Sequence, residues 1–269
     1  MDEIDHKSEE IERSTLESLH QCCPSDTRNE IGLDLIEVSD CIVALAAGDP
    51  SILLNRTLGL GTKKTVSPES LDAVASAYSA GNVSNYFIHV YDDTLSDAAR
   101  TSLEGSRFVK KRGWMKFRSG APHERAASTD LRIEKIGVER GRDFGKIVCG
   151  AFGMLDKSIP LLGGLANDER WHLFVSYDGD RPAGAGALFV DGDIGWLEWG
   201  ATHPDFRRRG SQGSIMAARL KIAADLGCRH VFTETGEAVD GDPQHSYRNI
   251  MKYGFEESIL RQNFAPSNV

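Results

Sequence analysis

The chemistry of this chain gathers around one junction, Ala201-Thr202-His203-Pro204-Asp205-Phe206-Arg207-Arg208-Arg209-Gly210-Ser211-Gln212-Gly213-Ser214. An apolar run stops at His203-Pro204, a basic glycine-containing turn follows, and a long helical pattern opens near Gly210. Such a strand–turn–helix junction leaves several backbone N–H groups unpaired and aimed into one small volume. The helix dipole and three arginines add positive potential there. Phosphate is the ligand this volume suits best; the bland alternative is a solvated basic turn. The Gly-Lys-Ser/Thr ending of a P-loop is absent. The preceding strands read as antiparallel hairpins, which excludes the βαβ unit of a dinucleotide site.

Side chains that could move protons lie nearby in sequence. Glu198 interrupts the apolar run Trp196-Leu197-Glu198-Trp199. It sits either on a solvated face or buried, where desolvation would raise its pKa to a value useful for a general base, acting directly or through a water. Strand alternation predicts Glu198, Gly200 and Thr202 on one face. Glu234 and Glu237 flank Thr235-Gly236; they form a polar loop or line a pocket that attracts a cation. Tyr247 is a packed aromatic or a general acid. His203 reads as a turn residue, His172 and His245 as structural, and Lys110-Lys111-Arg112 as a solvated turn.

The elements that must position these residues follow from period and punctuation. The second half reads as a strand at 131–136, a helix at 140–154, and three strands at 171–177, 183–190 and 194–202. Asp178-Gly179-Asp180 and Asp191-Gly192-Asp193 are the hairpin turns between those strands. A helix at 210–226 carries an apolar stripe of Ile215, Ala218, Ile222 and Leu226, widened by Met216, Leu220 and Ala223. A strand at 230–235, a short helix at 246–253 and a last strand at 255–264 complete it. In the first half the pattern predicts a charged amphipathic helix at 4–21 and strands at 33–38, 41–46 and 52–61. A helix opens at Ser67-Pro68-Glu69, and a strand at 86–91, a helix at 94–105 and a strand at 114–118 follow. The polar stretch 119–129, with Pro122, reads as a connection. The division is an N-terminal αβ lobe at 1–120, a linker at 121–129 and a second αβ domain at 130–269.

Bulk properties narrow the function. The 269 residues carry a net charge of −9, which argues against a general nucleic-acid binder. No stretch approaches the roughly 20 apolar residues of a membrane span, and the N-terminus has no apolar signal core. Five cysteines without paired spacing suggest neither a disulfide framework nor a zinc site. The expectation is a cytoplasmic protein without a metal, a nucleic-acid partner or a membrane partner.

Three signatures in the second half, in the right order, resemble the GNAT superfamily of acetyl-CoA-dependent N-acetyltransferases. The first is the Arg/Gln-x-x-Gly-x-Gly/Ala loop that follows a strand ending in His-Pro and opens the longest helix, here Arg207 to Gln212. The second is the strand Val231 to Thr235, and the third is a short helix ending in Tyr253-Gly254-Phe255. The resemblance covers residues 130–269. The N-terminal half imitates the late part of the same fold between Ser67 and Arg118 but has no phosphate loop, as in a degenerate copy. The implied fold is mixed α/β and two-lobed, with a central, mostly antiparallel, splayed sheet flanked by helices.

What the resemblance implies is specific. Arg207, Arg208, Arg209, Gly210, Ser211, Gln212, Gly213 and Ser214 would bind the coenzyme A pyrophosphate. The strand edge at Gly200, Ala201 and Thr202 would pair with the pantetheine arm. Glu198, Glu234 and Tyr247 would serve the proton transfers of direct attack by an amine on the acetyl thioester. The acceptor would be a small-molecule amine or an exposed amino group, with a slight preference for a cation, and segments 159–170 and 235–244 would shape its pocket. Two positions depart from the family pattern. Gln212 stands where a small residue is usual, and Ile250 stands where many relatives carry tyrosine, with Tyr247 one helical turn earlier. Ile250 leaves open an acyl-CoA-binding module without transferase activity. A domain that binds no coenzyme is the third reading.

Overall fold

The computed structural model describes residues 1–123 and 125–267. Residue 124, inside the expected linker, and residues 268 and 269 lie outside the described residues. Helix α1 (Glu3–Gln21) opens on a capping box between Asp2 and Asp5. Helix α2 (Ser25–Ile31) ends on Gly32, whose φ of 60° is the left-handed conformation that glycine adopts without steric cost. Strands β1 (Leu33–Val38), β2 (Cys41–Ala46) and β3 (Thr57–Leu58) form a three-stranded sheet. Next come α3 (Pro68–Ala80), with its Ser67–Ser70 capping box, β4 (Ile88–Val90), α4 (Asp97–Glu104) and β5 (Phe108–Ser119).

The second half supplies β6 (Arg132–Ile136), α5 (Gly141–Phe152), α6 (Ile159–Gly163), β7 (Trp171–Asp178), β8 (Arg181–Asp191) and β9 (Ile194–Thr202). It ends with α7 (Ser211–Asp225), β10 (His230–Gly236), α8 (His245–Lys252) and β11 (Glu256–Pro266). The hairpins turn at Gly179 and Gly192, with φ of 59° and 60°, as the Asp-Gly-Asp triplets predict.

The eight-stranded sheet runs in the order β4-β11-β5-β10-β9-β8-β7-β6. Its pairs are antiparallel except β9 with β10, which run parallel from Ile194↔His230 to Leu197↔Thr233 and then diverge. At the last rung the Thr233 hydroxyl donates to the Leu197 carbonyl at 2.9 Å. Strand β5 comes from the N-terminal side of the 121–129 segment, yet it lies between β10 and β11. Strands on both sides of that segment therefore belong to one hydrogen-bonded sheet. One face of this sheet packs Phe117, Leu188, Leu197 and Val231 against α7 and α8. The other packs Leu173, Ala187, Phe189 and Trp196 against α1, α5 and α6. A separate N-terminal core gathers Val43, Leu71, Val74, Tyr78 and Ile88.

Three local expectations need correction. The run 52–61 is a strand only at Thr57–Leu58, because residues 52–55 form a turn in which the Asn55 amide bonds the carbonyls of Asp49 and Ser51. Lys110-Lys111-Arg112 is no turn but the exposed first part of β5, where Lys110 pairs with Phe264 and Lys111 with Asn263. The buried face of α7 is rotated from the expected stripe: Ile215, Met216, Arg219, Leu220 and Ala223 face inward, while Leu226 is 50% exposed. Helices α2 and α6 were not foreseen.

Helices α5 and α6 approach through glycines. A methyl group on Gly145 would overlap the carbonyl oxygen of Ile159, and one on Gly141 the carbonyl of Gly163. Gly145→Ala should therefore lower stability despite alanine's better helix propensity. The expected loss is about 1–3 kcal/mol, because the obstacle is backbone and has no rotamer to move into. A urea midpoint at or above that of the parent chain would refute this packing.

Candidate functional site

The turn before α7 is built to leave amides exposed. Arg208 and Gly210 adopt left-handed conformations, with φ of 65° and 80°. No side chain caps α7, and the first helical bond is Ser214 N–H to the Gly210 carbonyl at 3.0 Å. The N–H groups of Ser211, Gln212 and Gly213 thus have no hydrogen-bond partner among the described residues. Two buried hydroxyls close by, Thr202 Oγ1 and Ser214 Oγ, also lack partners. Unsatisfied donors at a helix N-terminus beside orphaned hydroxyls suit a phosphorylated ligand. A cleft of about 510 Å³ opens beside this helix and includes Arg125, Ser128, Thr129, Ser214, Ala218 and Lys221 in its walls.

The three arginines differ. Arg207 and Arg208 are exposed, whereas Arg209 pairs with Asp130 and Asp178, so its guanidinium is committed to carboxylates. The Thr129 hydroxyl donates to the Arg209 carbonyl at 2.6 Å, and Ser128 packs directly on Gly210. Segment 128–130 therefore fastens the turn from outside.

Strand β9 carries a bulge. Ala187 faces Glu198 while Ala185 faces Ala201, so β9 holds one residue more than β8, and Trp199 takes φ of 57°. This overturns the expected alternation. Glu198 points to the α1 side of the sheet, whereas a side chain on Gly200 would point at Gln212 on α7, 3.1 Å from its Oε1. The bulge frees carbonyls, which α7 satisfies. Gln212 Nε2 donates to Ala201 at 2.5 Å and Ala185 at 3.4 Å, and Arg219 Nη1 to Ala187 at 3.0 Å and Glu198 at 3.3 Å. Gln212 occupies a position usually small because its side chain binds the strands, leaving its own N–H free. Toward β10, Glu198 to Thr202 have no strand partner, since the β9–β10 pairing stops at Leu197.

On the α1 side lies a buried charge network that the sequence did not disclose. Arg56 reaches Glu12 at 3.0 Å, Glu234 at 3.1 Å and Glu198 at 3.3 Å. Arg261 reaches Glu12 at 2.7 Å and Glu234 at 2.5 Å; Lys116 reaches Glu12 at 2.5 Å and Glu9 at 2.6 Å. Lys116 and Glu12 are wholly buried, while Glu198 and Glu234 keep 16% and 13% exposure. Burial pushes the Glu198 carboxyl up to about 7; Arg56 opposes this, and Glu12 and Glu234 add to it. Burial likewise raises Glu234. Burial opposes ionisation of Glu12 too, but Arg261, Lys116 and Arg56 outweigh it and hold Glu12 well below the usual carboxylate range.

The structure thus brings Glu198 and Glu234 together through Arg56 and sets Tyr247 apart from them. Tyr247 lies on the α8 side in edge contact with Phe117, and its hydroxyl donates to Glu257. Burial and then Glu257 push it up to about 12. Glu237 accepts the Gly113 N–H at 2.7 Å and takes no part in the network. His203 is a turn residue, its ring accepting the Asp205 N–H at 3.3 Å. Segment 159–170 packs inward, with Leu161, Leu162 and Leu165 fully buried. Tyr253 was overlooked: its hydroxyl lies against Gly213 in the first turn of α7. Only its place before Gly254-Phe255 hinted at that. Nothing local marked Glu12, Arg56, Lys116 or Arg261, which are spread over the whole chain. Among the described residues no group of His, Cys, Asp and Glu could hold a metal ion, and no helix is long and apolar enough to cross a membrane.

Residues 153–251 match the family model described as the acetyltransferase (GNAT) family. No curated protein matches the chain in sequence. Among solved structures, a GCN5-related N-acetyltransferase from Kribbella flavida is similar at a TM-score of 0.63 and 12% identity, over 96% of this chain and 95% of that one. Another GCN5-related N-acetyltransferase, from Sphaerobacter thermophilus, is similar at a TM-score of 0.59 and 14% identity, over 86% of this chain and 82% of that one. Residues 153–251 are thus similar to the acetyltransferase (GNAT) family, and the chain as a whole shares the fold of these two structures.

The raised Glu198 carboxyl has a thermodynamic consequence. Between about pH 4.5 and 7 the unfolded chain has released the proton that the folded protein still binds, so this group makes stability fall as pH rises through that window. Glu198→Gln removes the term. Its stability relative to the parent chain should rise between pH 5 and 8, by an amount on the order of 3 kcal/mol. Urea midpoints at the two pH values check this, and a difference independent of pH would refute it.

Proposed function

We propose that this protein transfers an acetyl group from acetyl-CoA to an amine, by direct attack in the gap between β9 and β10. The observation carrying the reading is the pairing of two unlike surfaces at that gap. Unpartnered amides of Ser211, Gln212 and Gly213 lie on one side, and the high-pKa Glu198 carboxyl on the other. Bound acetyl-CoA would supply an activated carbonyl and a thiolate leaving group. The amides would hold its pyrophosphate, with Arg207 and Arg208 adding potential, Arg209 acting only through its main chain, and Gly210 and Ser214 completing the turn. The free main-chain edge at Gly200, Ala201 and Thr202 would align the pantetheine arm as an added strand.

Glu198, half ionised near pH 7, suits a general base that takes the proton from an acceptor ammonium. Glu234 would hold the neighbouring charge. Tyr247 would return a proton to the departing sulfur, exchanging its bond to Glu257 for one to the thiolate. Tyr253, nearer the first turn of α7, is the competing donor. The carboxylates of Glu198 and Glu234 beside this gap favour a cationic amine.

Acetyl-CoA should raise the melting temperature, and a panel of amines should contain at least one that releases free thiol. Protection without thiol release would indicate a coenzyme-binding module, and no protection at millimolar acetyl-CoA would end both readings. Glu198→Gln should lower kcat/KM by about 10²-fold. Of Tyr247→Phe and Tyr253→Phe, the first should lower kcat by 10-fold or more; loss in the second alone moves the acid to Tyr253.

A further inference from the structure

We propose that Arg56, contributed by the N-terminal half, is the positioning residue of the transfer site, fixing the Glu198 carboxylate where β9 and β10 part. The proposal rests on the reading of Glu198 as the base. Arg56 contacts three carboxylates at once. Its Nη2 lies 3.3 Å from Glu198, and its Nη1 3.0 Å from Glu12 and 3.1 Å from Glu234. The guanidinium stacks over Trp114 at 5.8 Å and is 4% exposed, so it has little freedom to release one partner for another. Its main chain is tied to the N-terminal sheet: the Ala44 N–H donates to the Arg56 carbonyl at 3.0 Å, and Arg56 bridges Phe87. A planar fork anchored in this way sets an orientation that a lysine could not.

The groups around Glu198 pull its proton equilibrium in both directions. Helix α1 brings Glu9 and Glu12, β10 brings Glu234, and with Glu198 these make four carboxylates. Against them stand three cations, Arg56, Lys116 from β5 and Arg261 from β11. A fourth cation, Arg219 from α7, binds the main-chain oxygen of Glu198 from the other face of the sheet, and Tyr91 donates its hydroxyl to Glu9. Burial keeps His20 on α1 and His89 on β4 neutral at pH 7, so neither adds a cation. Arg56 favours the ionised base, and Glu12, held by the same guanidinium, favours the protonated one.

Opposite shifts are therefore expected from two nearly isosteric changes at residues that do not touch the acceptor. In the full-length protein, Arg56→Gln should move the acidic limb of the kcat/KM profile to higher pH, and Glu12→Gln should move it to lower pH. Each shift should be about one unit. Arg56→Lys should restore the position of the limb while kcat stays below the parent value. Carbon-13 NMR titration of the Glu198 carboxyl reads the same shifts without turnover. It serves if no amine is consumed, and Glu12→Gln with Arg56→Lys serve if Arg56→Gln does not fold. Lower melting temperatures with an unmoved limb and titration would reduce Arg56 to a structural residue and overturn the proposal. If Glu198→Gln leaves the limb in place, the base assignment itself fails. If it abolishes the limb while the Arg56 and Glu12 variants do not move it, only the present proposal fails.

Discussion

A carboxylate with no exposure governs the arrangement of this protein. Glu12 on α1 meets Arg56, Lys116 and Arg261, three cations drawn from the N-terminal half, the borrowed strand and the last strand. An isolated charge so deep would cost several kcal/mol, and removing one partner of such a group is far worse than never having built it. Helix α1, the turn before β3, β5 and β11 must therefore all be in place before any of these side chains is tolerable. The network is cooperative for that reason, and it reaches the gap between β9 and β10 because Glu198 and Glu234 complete it.

The gap itself comes from two irregularities in β9. Its parallel pairing with β10 ends at Leu197, and the extra residue at Trp199–Gly200 turns the later part of the strand over. In a regular strand Glu198 and Gly200 would share a face. With the bulge, the carboxylate looks into the charged face and Gly200 into the α7 face. Gln212 and Arg219 then bond the carbonyls that the bulge releases, so the helix that opens on unpartnered amides also fixes the strand beside them. The face with the unpartnered amides and the face with the carboxylates are thus separated by one strand.

Strand β5 explains why the two lobes act as one unit. Twelve residues long, it fills the place between β10 and β11 and carries Lys116 into the network. Hydrogen bonding and buried charge both cross the 121–129 segment.

Much was legible in the residues alone. Capping residues fixed the start of α3, the Asp-Gly-Asp triplets placed both hairpins, and Gly210 with its arginines announced the amide-rich turn, because each depends on bonds spanning a few residues. The period of 52–61 misled, since Asn55 supplies by side chain the bonds a strand would have made. The stripe of α7 misled as well, since Arg219 lies in its buried face, where carbonyls of β8 and β9 and the Met216 sulfur accept its N–H groups. Local chemistry thus determined most of the elements, both hairpins and the amide-rich turn. The tertiary structure alone decided which way Glu198 faces and which charges surround it. A bulge is defined only against its partner strand, and a buried charge is stable only beside counterions that the chain brings from positions 12, 56, 116, 234 and 261.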